Sequence, residues 1–317
     1  MGNIYFNVDS SAVNGLEANG LRLSAILENE VTMMLADMAS IRKTNALKYL
    51  GDVAGSGSDA VTQRFSSIGA KTEFSATANE DTDVGATTPT YSTSTCTVAR
   101  NSLVYAISDL ATLTGYGEDL SPWSLAASMA QSAEARIMSI VCSTFGSAST
   151  SVGVSGAALT LDDFFDAVFQ LELNSNFGET YAVLHSRQIG HLVDSLRSES
   201  NNALAYSQAT AAQLDMYGQG FGGRLLGVNL FKSNRVALDG GATNRVGAMF
   251  SAGGVAYAIG SPQPIISNAE MRPAGTPIVV EMERSGAAGI TKVIGHLFCG
   301  AALTEQERIV KIVTSAS

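Results

Sequence analysis

Residues 60–107 constrain this chain more than any other stretch. Ala60 to Ala78 and Thr90 to Ile107 are of mixed polarity and read as two extended arms, entered through the flexible run Gly55 to Ala60. Between them Asn79-Glu80-Asp81-Thr82-Asp83-Val84-Gly85 is acidic and turn-forming, the expected tip of a long hairpin. The returning arm, Thr87 to Thr97, is dominated by Ser and Thr. Thr93, Thr95 and Thr97 favour a strand, but apolar alternation is almost absent, so the arm has no obvious core face. A two-stranded ribbon of that kind is marginal in water unless something covers it. Two readings stay open: a ribbon laid on another subunit, or a disordered polar loop.

Composition bears on that choice. Only 15% of the 317 residues are charged and 45% are apolar. Such a balance suits a subunit that hides much of its surface against copies of itself, although a small-residue-rich globular protein shows it too. The length allows one large irregular domain or two closely packed ones. A net charge of −10 with no cluster of Lys and Arg argues against gripping a polyanion. Met1 to Gly15 lack a basic cluster followed by an apolar run, so no signal peptide is expected. Phe6 stands where a myristoylation signal needs Ser or Thr. The most apolar long stretch, Val246 to Ile259, is broken by Gly247, Gly253 and Gly254 and falls short of the roughly 20 residues of a membrane span. No membrane role is expected.

Along the chain, Leu27, Val31, Met34, Met38 and Ile41 step by four and three, one face of a helix that packs either on its own domain or on a neighbouring subunit. Ser121-Pro122 is a helix start, and Ala126, Met129, Ala130, Ala133, Ile137, Ile140 and Val141 follow on one face up to Phe145-Gly146. That helix is on the order of 35 Å long. Thr160-Leu161-Asp162-Asp163 is a capping box opening a helix that presents Phe164, Phe165, Val168 and Leu171. Tyr181 to His185 reads as a short buried strand, Ile189 to Leu196 as a helix, and Leu225 to Phe231 as a strand. Pro277 to Met282, Thr291 to Leu297 and Arg308 to Thr314 read as late sheet strands. The order is ribbon, long helix, mixed part, then strands, with no internal repeat.

No active site assembles from these residues. Gly218-Gln219-Gly220-Phe221-Gly222-Gly223 fits GxGxxG, but a helical stretch precedes it and a strand follows, the reverse of a dinucleotide site. His185 and His191 lie six apart, unlike zinc ligands on one helical face, and His296 is distant. Cys96, Cys142 and Cys299 show neither metal nor disulfide spacing. Asp162 and Asp163 are adjacent and suit the helix N-terminus better than paired acid and base work. No catalytic, cofactor or metal residues are expected.

Taken in order, these parts resemble the HK97-type major capsid proteins of tailed bacteriophages. The ribbon is similar to their extended E-loop, the helix from Pro122 to Phe145 to their spine helix, and Tyr181 to Leu196 to the strand and helix of their axial domain. Gly223 to Leu230 matches a strand, a glycine and a second short strand crossing that domain, and Gly247 to Phe250 with Gly254 to Tyr257 resembles its next strand. Ile278 to Arg284 and Ile290 to Leu297 resemble closing strands of the peripheral domain, with Val310 to Val313 as the last edge.

The resemblance implies an α+β fold: an N-terminal arm (1–59), an E-loop (60–107), a peripheral domain with the spine helix (108–156), an axial domain (157–270) and closing peripheral strands (271–317). It also implies hexamers and pentamers of this chain in a virion shell around DNA, assembled in the bacterial cytoplasm. Scaffolding, portal and decoration proteins are the expected partners. Glu80, Asp81 and Asp83 are expected to meet basic side chains of a neighbour, with Arg272 and Arg284 as candidates. No long charged helical segment precedes the arm, so the chain is either a mature form or served by a separate scaffold. An encapsulin shell around a cargo enzyme is the alternative within the fold, and a soluble α/β enzyme, resting on the glycine string, is the alternative outside it.

Some members of this family lock their shells by joining an E-loop lysine to a peripheral asparagine, helped by a glutamate. Here Lys71 is the sole ribbon lysine and sits well before the tip, and residues 269–317 contain no asparagine. Boiling particles in detergent is therefore expected to give a single band near 32.9 kDa on a denaturing gel. A reductant-resistant ladder of multimers refutes this.

Overall fold

The computed structural model describes residues 30, 31, 34, 41, 42, 44–53, 56–66, 88, 91–110, 122–174, 178–198, 221–261 and 278–316. A five-stranded sheet is built on its longest strand, β12 (Ile290–Leu303). Along one edge β12 pairs antiparallel with β4 (Ala99–Ser108), from Ile290↔Ser108 to Cys299↔Ala99. Along the other it pairs with β11 (Ile278–Ser285) and then, from Cys299 to Leu303, with β10 (Val255–Ile259). In turn β10 carries β1 (Leu47–Asp52) in parallel. Alternation along β12 buries Val293, Gly295, Leu297 and Cys299 on one face. Helix α1 (Pro122–Thr144) covers that face with Met129, Ala130, Ala133, Ile137 and Val141, the stripe its sequence spacing predicts. Full burial of an aliphatic side chain of this size contributes about 1.5–3 kcal/mol.

The second sheet runs β5 (Ser151–Val152), β13 (Ile309–Ser315), β9 (Asn244–Ser251), β6 (Thr180–Leu184), β8 (Val228–Lys232), β7 (Phe221–Leu225). On one face Ala182, Leu184, Leu230, Met249 and Ile312 pack against helices α2 (Leu161–Leu173) and α3 (Ser186–Ser198). On the other, Tyr181, Val183, Phe231, Ala248 and Phe250 join the core beneath α1. Phe145, just past the end of α1, lies 6.0 Å from the Phe250 ring, and Tyr181 lies 6.4 Å from it on the same face. One apolar core therefore links the two sheets.

Local chemistry fixes the helices. Asp163 N–H donates to Thr160 Oγ1 at 3.1 Å while Thr160 N–H donates to Asp163 Oδ2 at 3.0 Å, the reciprocal cap expected of α2. On α3 the fully buried Gln188 accepts from His185 N–H at 3.0 Å and donates to Thr314 Oγ1 at 2.8 Å, tying the helix to β13. An unmade bond on such a group costs about 1–3 kcal/mol, so the amide fixes where α3 sits.

Several elements differ from the sequence reading. Val255 to Tyr257, read as an axial strand, belongs to β10 and pairs with β12. Val310 to Val313, read as the last edge of the closing strands, lies in β13 and pairs with β9 and β5 in the other sheet. Ile309, Val310, Ile312 and Thr314 are all buried, and a strand buried on both faces needs a sheet covered on both sides. Leu225 to Phe231, read from its apolar run as one strand, is a hairpin turning at Leu226 and Gly227, whose φ values are 52° and 83°, the strand, glycine and second strand that the resemblance implies for Gly223 to Leu230. Val31 and Ile41 are buried in the main core and Met34 packs against it, so this part of the stripe lies on its own subunit. Leu27, Met38 and Ser121 lie outside the described residues.

The ribbon consists of β2 (Ala60–Ser66) and β3 (Tyr91–Thr97). Its root crosses β12 at Gly300, where an added side-chain carbon would lie 2.1 Å from Thr97 O and 3.2 Å from Cys96 Sγ. Gly300→Ala is therefore expected to destabilise the subunit by about 1–3 kcal/mol. Urea denaturation should show a lowered midpoint, with proteolysis entering first near residues 91–98; an unchanged midpoint overturns the packing argument.

Candidate assembly surface

The ribbon pairs from Ala60↔Thr97 to Ser66↔Tyr91. Alternation on β3 turns Thr93, Thr95 and Thr97 outward and Ser94 and Cys96 inward. Ser94 Oγ donates to Leu303 O at 2.6 Å, and Val98 N–H donates to Asp59 O at 2.8 Å. Only Val98 separates β3 from β4, so one long extended run lies antiparallel to β12 and passes its end at Leu303. Residues 60–66 and 91–97 are thus a ribbon and not a polar loop. Tyr91, at the far end of the described ribbon, is 57% exposed.

Glu80, Asp81, Asp83 and Arg272 lie outside the described residues. Arg284, assigned by the sequence reading to a neighbouring subunit, has a partner in its own chain. Its Nη1 and Nη2 donate to Asp109 Oδ1 and Oδ2 at 3.0 and 2.8 Å, and Nη1 reaches Thr291 Oγ1 at 3.2 Å. These bonds hold the Asp109 carboxyl below the usual carboxylate range and push the guanidinium up. The two residues are 175 positions apart, so no local pattern joined them.

A cleft of about 480 Å³ opens between α1 and the five-stranded sheet. Its wall is apolar, with Met129 and Ala133 from the helix and Leu103, Ile278 and Leu297 from the sheet. Gly295 also lines it, and a side-chain carbon there would meet Met129 Sδ at an ordinary contact distance of 3.6 Å. Arg100 on β4 and Arg136 on α1 also line it, both exposed. Arg136 Nε donates to Asn101 Oδ1 at 2.8 Å. Among the described residues no carboxylate pairs with either arginine. Sequence reasoning missed this pair because one cation sits on the returning arm and the other on a helix.

Among the described residues no group of three His, Cys, Asp or Glu could hold a metal. Cys96, Cys142 and Cys299 are buried free thiols; burial pushes Cys142 up to about 12 and Cys299 to about 11, far from a nucleophile at neutral pH. His185 is pushed down by burial and then by Arg245 and Arg187. His296 meets Ser102 Oγ through Nδ1 at 2.8 Å on the other sheet. Phe221, Gly222 and Gly223 of the glycine string lie in β7, a strand and not a helix start.

No family model matches the sequence, and no curated protein matches it. Among solved structures, the capsid of Ralstonia phage GP4 is similar at TM-score 0.61 and 12% identity, covering 86% of this chain and 87% of that one. The capsid of Cyanophage P-SCSP1u is similar at 0.56 and 12%, covering 88% and 89%. The capsid of an empty GTA particle is similar at 0.55 and 14%, covering 88% and 93%. The chain thus has the α+β fold of these capsid subunits, as the ordered parts of its sequence imply.

The Asp109–Arg284 fork sets a pH dependence. A carboxyl lowered in the folded chain adds stability above its unfolded value, and that contribution is lost as pH falls through the lowered one. Asp109→Asn is expected to be less stable than the parent at neutral pH and equal to it at acid pH below both values. Paired denaturation curves across that range check it; a pH-independent difference removes the electrostatic account.

Proposed function

We propose that this chain is the major capsid subunit of a tailed bacteriophage, closing as hexamers and pentamers into an icosahedral shell around double-stranded DNA. The observation that carries this reading is the fold itself, shared over 86–88% of the chain with capsid subunits. The ribbon supports it from within. A rooted arm that runs past its own sheet and exposes Tyr91 is covered naturally by another copy. The role is structural, held by contacts between copies and requiring no cofactor.

In this reading the shell contains DNA as a wall and does not bind its sequence, and the net charge of −10 keeps the genome from adhering. The subunit assembles in the host cytoplasm with scaffolding, portal and decoration proteins as its partners. The five-stranded sheet with α1 serves as the peripheral domain and the six-stranded sheet with α2 and α3 as the axial domain. An encapsulin needs an apolar pocket for a cargo peptide. Val31 and Ile41, which the N-terminal stripe offered for that purpose, are buried in the subunit's own core.

Expression of the chain followed by negative-stain electron microscopy is expected to show closed particles, and a uniformly monomeric product ends the proposal. Particles from the native source should protect DNA from nuclease. A co-purifying cargo protein in place of DNA favours the encapsulin.

A further inference from the structure

We propose that the end of the six-stranded sheet where β6, β8 and β9 meet the start of α3 binds phosphate, and that its occupant is the backbone of the enclosed DNA. The inference rests on the shell reading and gives the shell one point of contact with its genome. Four cations gather there from three separate segments: Arg187 in the first turn of α3, Lys232 at the end of β8 with Arg235 just past it, and Arg245 at the start of β9. Pairing of Leu184 with Lys232, and a bond from Ser233 N–H to Leu184 O at 2.9 Å, set the end of β8 beside the end of β6. Ser186 Oγ donates to Asn234 Oδ1, which holds the segment of Arg235 against the start of α3. Gln188 Nε2 donates to Arg245 O at 3.3 Å and Arg245 Nη1 donates to Val236 O at 3.0 Å, which brings in β9. His185 sits among them: after burial, Arg245 and Arg187 push its protonation down, so both act on one imidazole.

Among the described residues no carboxylate pairs with any of the four, and α3 has no acid in its first turn. Asp239, four residues past Arg235, gives its carboxylate to the Thr243 and Asn244 amides instead. Arg245 Nε is buried without an acceptor, and Arg187, Lys232 and Arg235 are exposed. In the chain beside them stand Ser186, Ser233 and Asn234, polar groups of the kind that bond phosphate oxygens and not the large apolar anchors of a protein interface. The whole-chain charge of −10 opposes a polyanion at a distance, but with a screening length of about 8 Å a phosphate on this patch senses the four cations and little of the acids elsewhere. Contact of this kind reads charge and not base sequence, so the shell stays a wall over the rest of its surface.

Lysine footprinting of assembled particles tests the contact. An activated acetate ester transfers its acetyl group to a neutral lysine amine and releases the alcohol; a phosphate held against Lys232 keeps the amine protonated and covers it. Lys232 is expected to react at least about fivefold more slowly in DNA-filled particles than in particles of the same chain emptied of DNA, with Lys292 as the internal reference. Empty particles treated with inorganic phosphate at matched ionic strength separate a free anion from the DNA backbone.

As a second arm, the unassembled full chain is titrated with a fluorescent duplex of about 20 base pairs across a range of salt. Arg187→Gln, Lys232→Gln and Arg235→Gln together should weaken binding at least about tenfold and flatten the slope of log affinity against log salt by about 2 to 3. Arg187→Lys with Arg235→Lys keeps the charge and should bind within about threefold of the parent. Equal Lys232 reactivity in filled and empty particles, protection by inorganic phosphate but not by DNA, or a salt slope unchanged in the triple variant each overturn the inference while leaving the shell reading intact. A parent that forms no particles overturns both.

Discussion

Strand β12 is the part on which the remaining geometry hangs. It pairs with β4, β11 and β10 and carries α1 on its buried face. One of its glycines sets how closely another element approaches. At Gly300 the absent side chain lets the ribbon root pass with Thr97 O where a Cβ would be, whereas a Cβ at Gly295 would meet Met129 at ordinary contact distance. A strand with a larger residue at Gly300 keeps its ladder hydrogen bonds but displaces the ribbon. The course of the ribbon's root is thus decided by a backbone contact that leaves no space for a side chain.

The N-terminal segment is bound to the same unit by charge. Arg42 Nη2 donates to Glu134 Oε2 of α1 at 2.5 Å, with side chains only 10% and 13% exposed. Such a pair is weak evidence for stability against an apolar replacement, yet removing one partner strands the other in a dry site at a cost of about 3–5 kcal/mol. Its structural consequence is register. With Ala46 and Leu47 buried a few residues on and β1 paired to β10, the pair fixes where the chain enters the sheet.

Elements announced by local chemistry were legible in the sequence. The Ser-Pro start and apolar stripe gave α1, the Thr160–Asp163 box gave α2, and period-two runs gave β11, β12 and β13. The placement of those strands was not legible. Nothing within Ile309–Ser315 distinguishes an edge of one sheet from the interior of another, because pairing depends on partners 59 or more positions away. The same holds for the surface. Sequence reading found the acids of the ribbon tip as a cluster because they are adjacent, and offered Arg284 as a partner although its fork is occupied by Asp109. It passed over Arg100 and Arg136, which become neighbours only when α1 lies on the sheet.

Charge then limits how copies of such a chain meet. Each copy carries −10, so two copies repel at long range, but at physiological salt the screening length is about 8 Å and the repulsion fades beyond direct contact. What matters is which charges lie in the contact itself. Several cations are already spent within the subunit: Arg42 on Glu134, Arg284 on Asp109, Lys292 on Glu283 and Arg308 on Glu305. Internal pairing of this kind leaves the exposed surface more acidic still, and raises the weight of each arginine that keeps its charge uncompensated. Arg100 and Arg136 keep theirs beside an apolar wall, where the low local dielectric strengthens the field relative to open surface.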